Sequence, residues 1–156
     1  MFRSMRRSEK ELPKDQVIAM LNTATNGVLA ISGDDGYPYA VPMSFAYVDG
    51  KLYFHSTTGT SHKLDGIANN PKVSFCVVTQ DNILPAEFNT HFKSAIAFGT
   101  ARVLTDEQEI MNGIMAIAQK YSAAHMEKGK EYAQKAKDAF CVVEITIDHL
   151  TGKIGK

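Results

Sequence analysis

The sequence contains no tryptophan and only two cysteines, and its 17 basic and 17 acidic residues leave no net charge. Without excess positive charge, a chain has no general attraction for nucleic acid or acidic membrane surfaces, so neither is predicted as a partner. No apolar run approaches the roughly 20 residues of a membrane-spanning helix. The basic stretch 3–10 is not followed by the apolar segment of a secretory signal. Two cysteines inside predicted strands suit a reducing compartment better than a disulfide scaffold, so we expect a cytoplasmic protein.

Several sequence signatures of known enzyme classes are also missing. There is no Walker loop, no G-x-G-x-x-G unit between a strand and a helix, and no recognisable Ser/His/Asp constellation. The histidines at positions 91, 125 and 149 are scattered without the spacing of metal ligands. No metal site is therefore predicted.

The chain does contain a pattern of short alternating strands interrupted by helices. Strands are predicted at 27–32, 37–48, 51–56, 73–79, 92–104 and 141–147, and helices at 13–25, 61–69, 105–121 and 131–139. Residues 81–91 are expected to form a loop, and Thr105 with Gln108 to form a capping box. The apolar stripe of the third helix is assigned to the core. Six strands in meander order indicate one antiparallel barrel spanning residues 1–156 rather than a parallel sheet.

The second strand has an unusual distribution of side-chain size. Its odd positions are large, whereas its even positions are small, namely Pro38, Ala40, Pro42, Ser44 and Ala46. Because side chains alternate across a strand, one face packs a core and the other is nearly flat backbone, which suits a planar ring system. The prolines cannot donate ladder hydrogen bonds, which predicts an edge strand or a bulge.

The stretch 57–63 follows the third strand and is rich in hydroxyl groups. It contains Gly59 and ends in Ser61-His62-Lys63 at the predicted start of a helix. Small residues, the unpaired N–H groups of a helix start and a lysine together form the parts of a phosphate site. The alternative is a capped helix with a solvated lysine.

Several separated segments, taken in order, resemble the FMN-binding split-barrel proteins related to pyridoxamine 5′-phosphate oxidase, and among these the nitroimidazole-resistance subgroup. The resemblance covers nearly the whole chain and rests on the segments 5–7, 33–42, 53–56, 59–63, 73–77, 92–99 and 149–153. It implies a mainly β, six-stranded antiparallel Greek-key split barrel with flanking helices. It also implies a homodimer with two FMN molecules at the subunit interface.

The resemblance further implies individual roles for residues. The isoalloxazine ring would lie along Ala40, Val41, Pro42, Met43 and Ser44. His55 and Ser56 would sit beside the flavin, and its phosphate would be held by Ser61, His62 and Lys63. Ser94 and Lys153 would reach the flavin of the other subunit. The family has arginine where this chain has His62, and the tryptophan and arginine near the C-terminus of true pyridoxamine phosphate oxidases are missing, so oxidation of vitamin B6 is not expected.

The function expected from these observations is that of an FMN-dependent oxidoreductase. Its substrate would be a small electron-poor molecule, such as a nitroaromatic or a quinone, with His55 as the catalytic proton donor. The alternatives are a module that binds or stores flavin or haem without turnover, and a structural barrel without cofactor. If the residues have no role at a cofactor, His55 is a half-exposed strand residue, Ser94 is a buried hydroxyl and Lys153 is a solvated terminal lysine.

Overall fold

The computed structural model describes the backbone of residues 1–156 and all side chains except that of residue 136. The chain forms four α-helices and seven strands. The helices are α1 (Lys14–Thr23), α2 (His62–Asn69), α3 (Glu107–Tyr121) and α4 (Met126–Ala136). The strands are β1 (Gly27–Ser32), β2 (Pro38–Met43), β3 (Ala46–Val48), β4 (Lys51–Thr57), β5 (Lys72–Leu84), β6 (Asn89–Val103) and β7 (Phe140–Gly155).

All seven strands belong to one antiparallel sheet in the order β2-β1-β5-β6-β7-β4-β3. The prediction of six strands is therefore wrong by one, because the predicted strand 37–48 breaks at Ser44 and Phe45. Its first half pairs with β1 and its second half with β4. The sheet curls into a barrel whose split lies between its two edge strands, β2 and β3. The antiparallel split barrel with flanking helices is confirmed, and β2 is an edge strand, as its prolines predict.

The core lies inside the barrel and follows the alternation of the strands. Phe45, Phe54 and Phe75 are among its largest buried side chains. Helix α1 closes one side of the core by packing Val17 against Gly152 of β7. A Cβ atom at Gly152 would lie 2.5 Å from Val17 Cγ2, so the close approach of helix and strand requires glycine there.

Two boundaries differ because hydrophobic periodicity fades in polar segments. The predicted loop 81–91 is a two-stranded arm in which β5 and β6 stay paired as far as Leu84 and Asn89. Residues 148–155, beyond the end of the predicted strand 141–147, continue β7 beside β6. The arm carries mostly exposed side chains, so its sequence does not show the alternation of a half-buried strand. In 148–155 the large apolar residues are Leu150 and Ile154, with Gly152 between them, and this is too short an alternation to extend the predicted strand.

The helices near the C-terminal half also differ from the prediction. Asp106 caps α3, and its carboxylate accepts a hydrogen bond from Glu109 N–H at 3.0 Å, so the predicted capping box at Thr105 is wrong. Helix α4 begins at Met126 rather than at residue 131. The apolar stripe of α3 is only partly buried, because much of it lines clefts beside α4.

The C-terminal end of α3 holds the break between β2 and β3. The Lys120 ammonium donates to the carbonyl oxygens of Leu21 and Phe45 at 3.2 and 3.0 Å and to that of Ala24, and it lies 4.0 Å above the Phe45 ring. The Tyr121 hydroxyl donates to Phe45 O at 2.6 Å and accepts from Phe45 N–H at 3.1 Å. Lys120 and Tyr121, hereafter the α3 clamp, thus satisfy backbone groups that the strand break leaves unpaired.

The buried carboxylate of Glu144 in β7 joins the neighbouring strands β4 and β6. Glu144 accepts hydrogen bonds from Tyr53 Oη at 3.1 Å, from Arg102 Nε at 3.1 Å and from Lys51 Nζ at 3.4 Å. Burial alone would raise the pKa of Glu144, but the Tyr53 hydrogen bond and the charges of Arg102 and Lys51 outweigh it and lower that pKa below its usual value. Burial and Glu144 together raise the pKa of Tyr53 to about 12.

Replacing Glu144 by glutamine tests this network. The variant keeps the shape of the side chain but loses the charge, and we expect its free energy of unfolding at pH 7 to fall by about 1–3 kcal/mol. Because the folded-state pKa lies below the unfolded value of about 4.3, the stabilisation is present above that pH and is lost as pH falls through the folded-state pKa. Denaturant unfolding from pH 7 to pH 3 should therefore show the difference shrinking. Glu87→Gln, at an exposed site, is the control. A difference that stays constant with pH would contradict the assignment.

Candidate functional site

Residues 57–63, the loop after β4 and the start of α2, form a candidate anion-binding corner. Gly59 has φ +102°, a backbone conformation that residues with side chains rarely adopt. Thr58 anchors the loop beside β7, because its N–H donates to Ala139 O at 3.2 Å. Ser61 caps α2 by accepting a hydrogen bond from Leu64 N–H at 3.1 Å. The N–H groups of His62 and Lys63 are then among those that a helix start leaves without intrahelical partners.

Lys63 supplies the positive charge of this corner. It is partly buried, and among the described side chains it takes part in no ion pair. Its field extends to the start of β7: burial raises the pKa of the Cys141 thiol, and the charge of Lys63 offsets part of that rise. A partly desolvated lysine without a carboxylate partner is available to neutralise an anion.

The Ser56 hydroxyl lacks a hydrogen-bond partner in the part of the chain that the structure describes. Its hydroxyl is buried at the end of β4, and among the described side-chain atoms it is the buried one without a hydrogen-bond partner. Such a group costs free energy unless a partner is present. The orphaned hydroxyl, the helix start and Lys63 fit a phosphorylated cofactor with further hydrogen-bonding groups, which is the chemistry of a flavin nucleotide.

Strand β2, whose outward face carries only small residues and is hereafter the flat strand, lies next to this corner. On β2 the small residues Pro38, Ala40 and Pro42 are exposed, whereas Val41 and Met43 pack against the core. Ser44, at the break after β2, is also exposed. Because β2 is an edge strand, half of its backbone polar groups have no strand partner and are available to the edge of a planar ligand.

Stacking between two aromatic rings joins the corner to the flat strand. The His62 ring lies on the Tyr39 ring with 3.9 Å between centroids, and His62 Nε2 is 3.8 Å from Asp34 Oδ2. His62 is thereby directed toward the β1–β2 turn. The structure thus joins His62 to Tyr39, one residue before the segment 40–44, while His55 and Ser56 lie on β4 ahead of the loop. The cofactor contacts of all three segments remain predictions.

His55 lies on the opposite face of β4 from its buried neighbours. Phe54 and Ser56 point into the barrel, whereas His55 is exposed and its ring is 5.8 Å from that of Phe140. It lines a cavity between β4, α3, α4 and the first residue of β7. A proton donor at the wall of an apolar cavity can act on a bound molecule, although its catalytic role remains a prediction.

The two residues expected to serve a partner subunit are direct neighbours. Ser94 of β6 and Lys153 of β7 are opposite each other in the strand register, on the outer face of the sheet. Lys153 also lies 5.6 Å from the Phe92 ring. β1 and β5 separate β6 from β2, so the sheet order holds Ser94 and Lys153 away from the flat strand of their own chain.

Sequence reasoning missed several residues of this region. Tyr39 was assigned only to the core face, yet its ring stacks on His62. Tyr132 and Phe140 received no role, yet they line the cavity beside His55. The helical spacing of Met126, Gly129, Tyr132 and Ala133 could have revealed α4 and its inner face. Within the described part of the chain no group of three His, Cys, Asp or Glu residues could hold a metal ion, and no helix is long and apolar enough to cross a membrane.

Solved structures of similar fold include three that bear on this site. One is described as a candidate 5-nitroimidazole antibiotic resistance protein of Bacteroides thetaiotaomicron; identity is 22%, 93% of this chain and 86% of that chain are covered, and the TM-score is 0.79. Another is the flavocytochrome Anf3 of Azotobacter vinelandii, with 17% identity, coverage of 97% and 72%, and a TM-score of 0.82. The third is an FAD and haem binding protein of Mycobacterium smegmatis, with 22% identity, coverage of 94% and 74%, and a TM-score of 0.81.

These likenesses establish the fold, since all three identities are below 25%. Among curated protein sequences, none matches this chain. The sequence model of one family, described as pyridoxamine 5′-phosphate oxidase, matches residues 13–154, which is most of the chain and contains every element of the site. The protein therefore belongs to the pyridoxamine 5′-phosphate oxidase family.

Proposed function

We propose that this protein is an FMN-dependent oxidoreductase that works as a homodimer and reduces small electron-poor molecules of the nitroaromatic or quinone type. The observation that carries the proposal is the buried, unpartnered Ser56 hydroxyl next to the helix start that bears Lys63. A phosphate at the α2 start would meet N–H donors and the lysine charge. The solved flavin-binding proteins of the same fold support a flavin as the ligand.

The chain's own residues divide the remaining work. β2 offers a nearly flat, side-chain-poor surface and free backbone groups to orient a planar ring. A bound flavin supplies the electrons of the reaction, and the protein positions it and limits access to it. His55 places its imidazole at the wall of the cavity between β4, α3 and α4, and in this proposal it donates the proton that the reduced product needs.

The proposed dimer rests on the outer face of the sheet. This face carries exposed apolar side chains on adjacent strands, including Val78 (57%), Ile96 (41%) and Phe98 (40%). Exposed apolar clusters mark interaction surfaces, and a two-fold axis would bring the same patch of each copy together. Ser94 and Lys153 lie on this face, so a second copy would carry them toward a site that their own chain cannot complete.

Two solved structures of similar fold favour a second candidate function. One is a flavocytochrome and another binds FAD and haem. The alternative for this chain is therefore a protein that holds flavin or haem without turnover.

The first prediction of the proposal concerns bound cofactor and turnover. Purified protein should be yellow, and mass analysis of the released molecule should give FMN rather than FAD or haem. Under anaerobic conditions NADH or NADPH should bleach the flavin absorption, and a nitroaromatic compound should restore it. Colourless protein that takes up no FMN would overturn the proposal. Bound flavin that no donor reduces would favour the storage function.

The second prediction concerns the phosphate. Lys63→Ala should weaken FMN binding by roughly 10- to 100-fold, because a charge-assisted hydrogen bond contributes about 1.5–3 kcal/mol. Riboflavin has no phosphate, so its affinity should be the same for the variant and the wild type. Lys72→Ala, at an exposed position of β5, is the matched control. Equal loss of FMN and riboflavin binding would show that Lys63 does not contact the phosphate.

The third prediction tests whether the two subunits share each site. Lys63→Ala and Lys153→Ala homodimers should both bind FMN weakly. When the two variants are unfolded together and refolded as a mixture, the mixed dimers should contain one intact site each, so roughly a quarter of all sites recover wild-type affinity. Titration with FMN measures that fraction. If Lys153 served its own chain, both sites of the mixed dimer would stay defective and no recovery would occur.

A further inference from the structure

The cavity beside His55 lies between β4 and the two helices that cover the outer face of β4, and it is open to solvent on one side. Its volume is about 220 Å³. Ile114 and Ile117 of α3 form one wall, Gly129 and Tyr132 of α4 form the opposite wall, and Phe140 and His55 form the floor. A cavity with these walls favours an apolar ligand.

Two aromatic rings give the cavity a preferred ligand shape. The rings of Tyr132 and Phe140 are nearly parallel, with an interplanar angle of 13° and 6.3 Å between centroids. The His55 ring meets Phe140 at 62°, which is an edge-on arrangement. Planar ligands stack on such surfaces. The polar groups of the lining are the His55 ring and the hydroxyls of Ser122 and Tyr132, so a bound molecule needs few polar substituents.

The volume limits how much of a ligand the cavity can bury. Pockets for drug-sized molecules span about 300–1,000 Å³, so this cavity is below that range. One six- or five-membered ring with a small substituent matches it better than a fused ring system or a dinucleotide.

Gly129 is an independent sign that the space is kept open. A Cβ atom there would lie 3.8 Å from Ala118 Cβ, an ordinary contact, so packing does not require glycine. At Gly113 of α3, in contrast, a Cβ atom would lie 2.7 Å from Val142 Cγ1. Glycine inside a helix is unfavourable relative to alanine. Gly129 therefore lowers the stability of α4 without a packing reason, and its effect is to enlarge the cavity.

We propose that this cavity is the acceptor site of the protein and that it selects planar single-ring compounds with a polar, electron-withdrawing group directed at His55. The proposal rests on the proposed function, because it assigns that function's substrate a place. Ile117, Gly129 and Tyr132 are then specificity-determining residues.

The test measures binding directly by calorimetry on flavin-loaded protein. The single-ring probe is 4-nitrobenzyl alcohol and the fused-ring probe is 6-nitroquinoline. Wild type should bind the single-ring probe at least tenfold more tightly. Ile117→Phe fills the cavity and should weaken that binding at least tenfold. Ile110→Phe makes the same change two turns earlier on α3, in a neighbouring cleft, and should alter it less than twofold.

Two further variants separate binding from folding. Gly129→Ala should raise the melting temperature, since it improves the helix, and should still weaken single-ring binding at least threefold. Tyr132→Ala should narrow the preference between the two probes. Equal effects of Ile117→Phe and Ile110→Phe, or no binding of either probe to wild type, would overturn the proposal. FMN affinity should be unchanged in all four variants, so failure of flavin binding itself would instead count against the proposed function.

Discussion

The break between β2 and β3 is the constraint on which the rest of the structure depends. A continuous strand over residues 37–48 would place its whole length beside one partner. The break lets the first half pair with β1 and the second half with β4, so that β2 and β3 become the two edges of the sheet and the barrel stays open between them. The α3 clamp holds the break by bonding both the N–H and the carbonyl of Phe45. The ring of Phe45 meanwhile packs edge-on against Phe75 in the core.

The opening of the barrel explains how the parts of the site come together. The exposed edge of β2 exists because no strand follows it in the sheet, and the end of β4 passes directly into the loop and the start of α2. The orphaned hydroxyl of Ser56 is found at this junction. Ser94 lies on β6, which β1 and β5 separate from β2, and Lys153 lies one strand further on, in β7; both are on the outer face. The sheet order thus separates the two groups of residues that the family resemblance assigns to one cofactor.

Local sequence patterns predicted the parts of the fold that local forces determine. The alternation of large and small residues identified β2 and its flat face, and the hydroxyl-rich loop with Gly59 identified the start of α2. The break at Ser44 and Phe45 could not be predicted in this way. It is stabilised by Lys120 and Tyr121, about 75 residues away in sequence, whose roles depend on tertiary contacts. The His55 cavity was missed for the same reason, because α4 contributes to it only after packing against α3. The polar arm of β5 and β6 was missed because solvated strands lack a hydrophobic period.

The same arm has a consequence for local unfolding. Beyond Phe92, which is opposite Gly155 of β7, the strands pair only with each other, and Phe88 at the tip is 99% exposed. An isolated two-stranded ribbon is marginally stable in water. Its amide protons should therefore exchange with solvent through brief opening of the ribbon alone, whereas those in the central parts of β5 and β6 wait for opening of the barrel. Each of the two strands is continuous, but its arm opens at a lower free-energy cost than its central part.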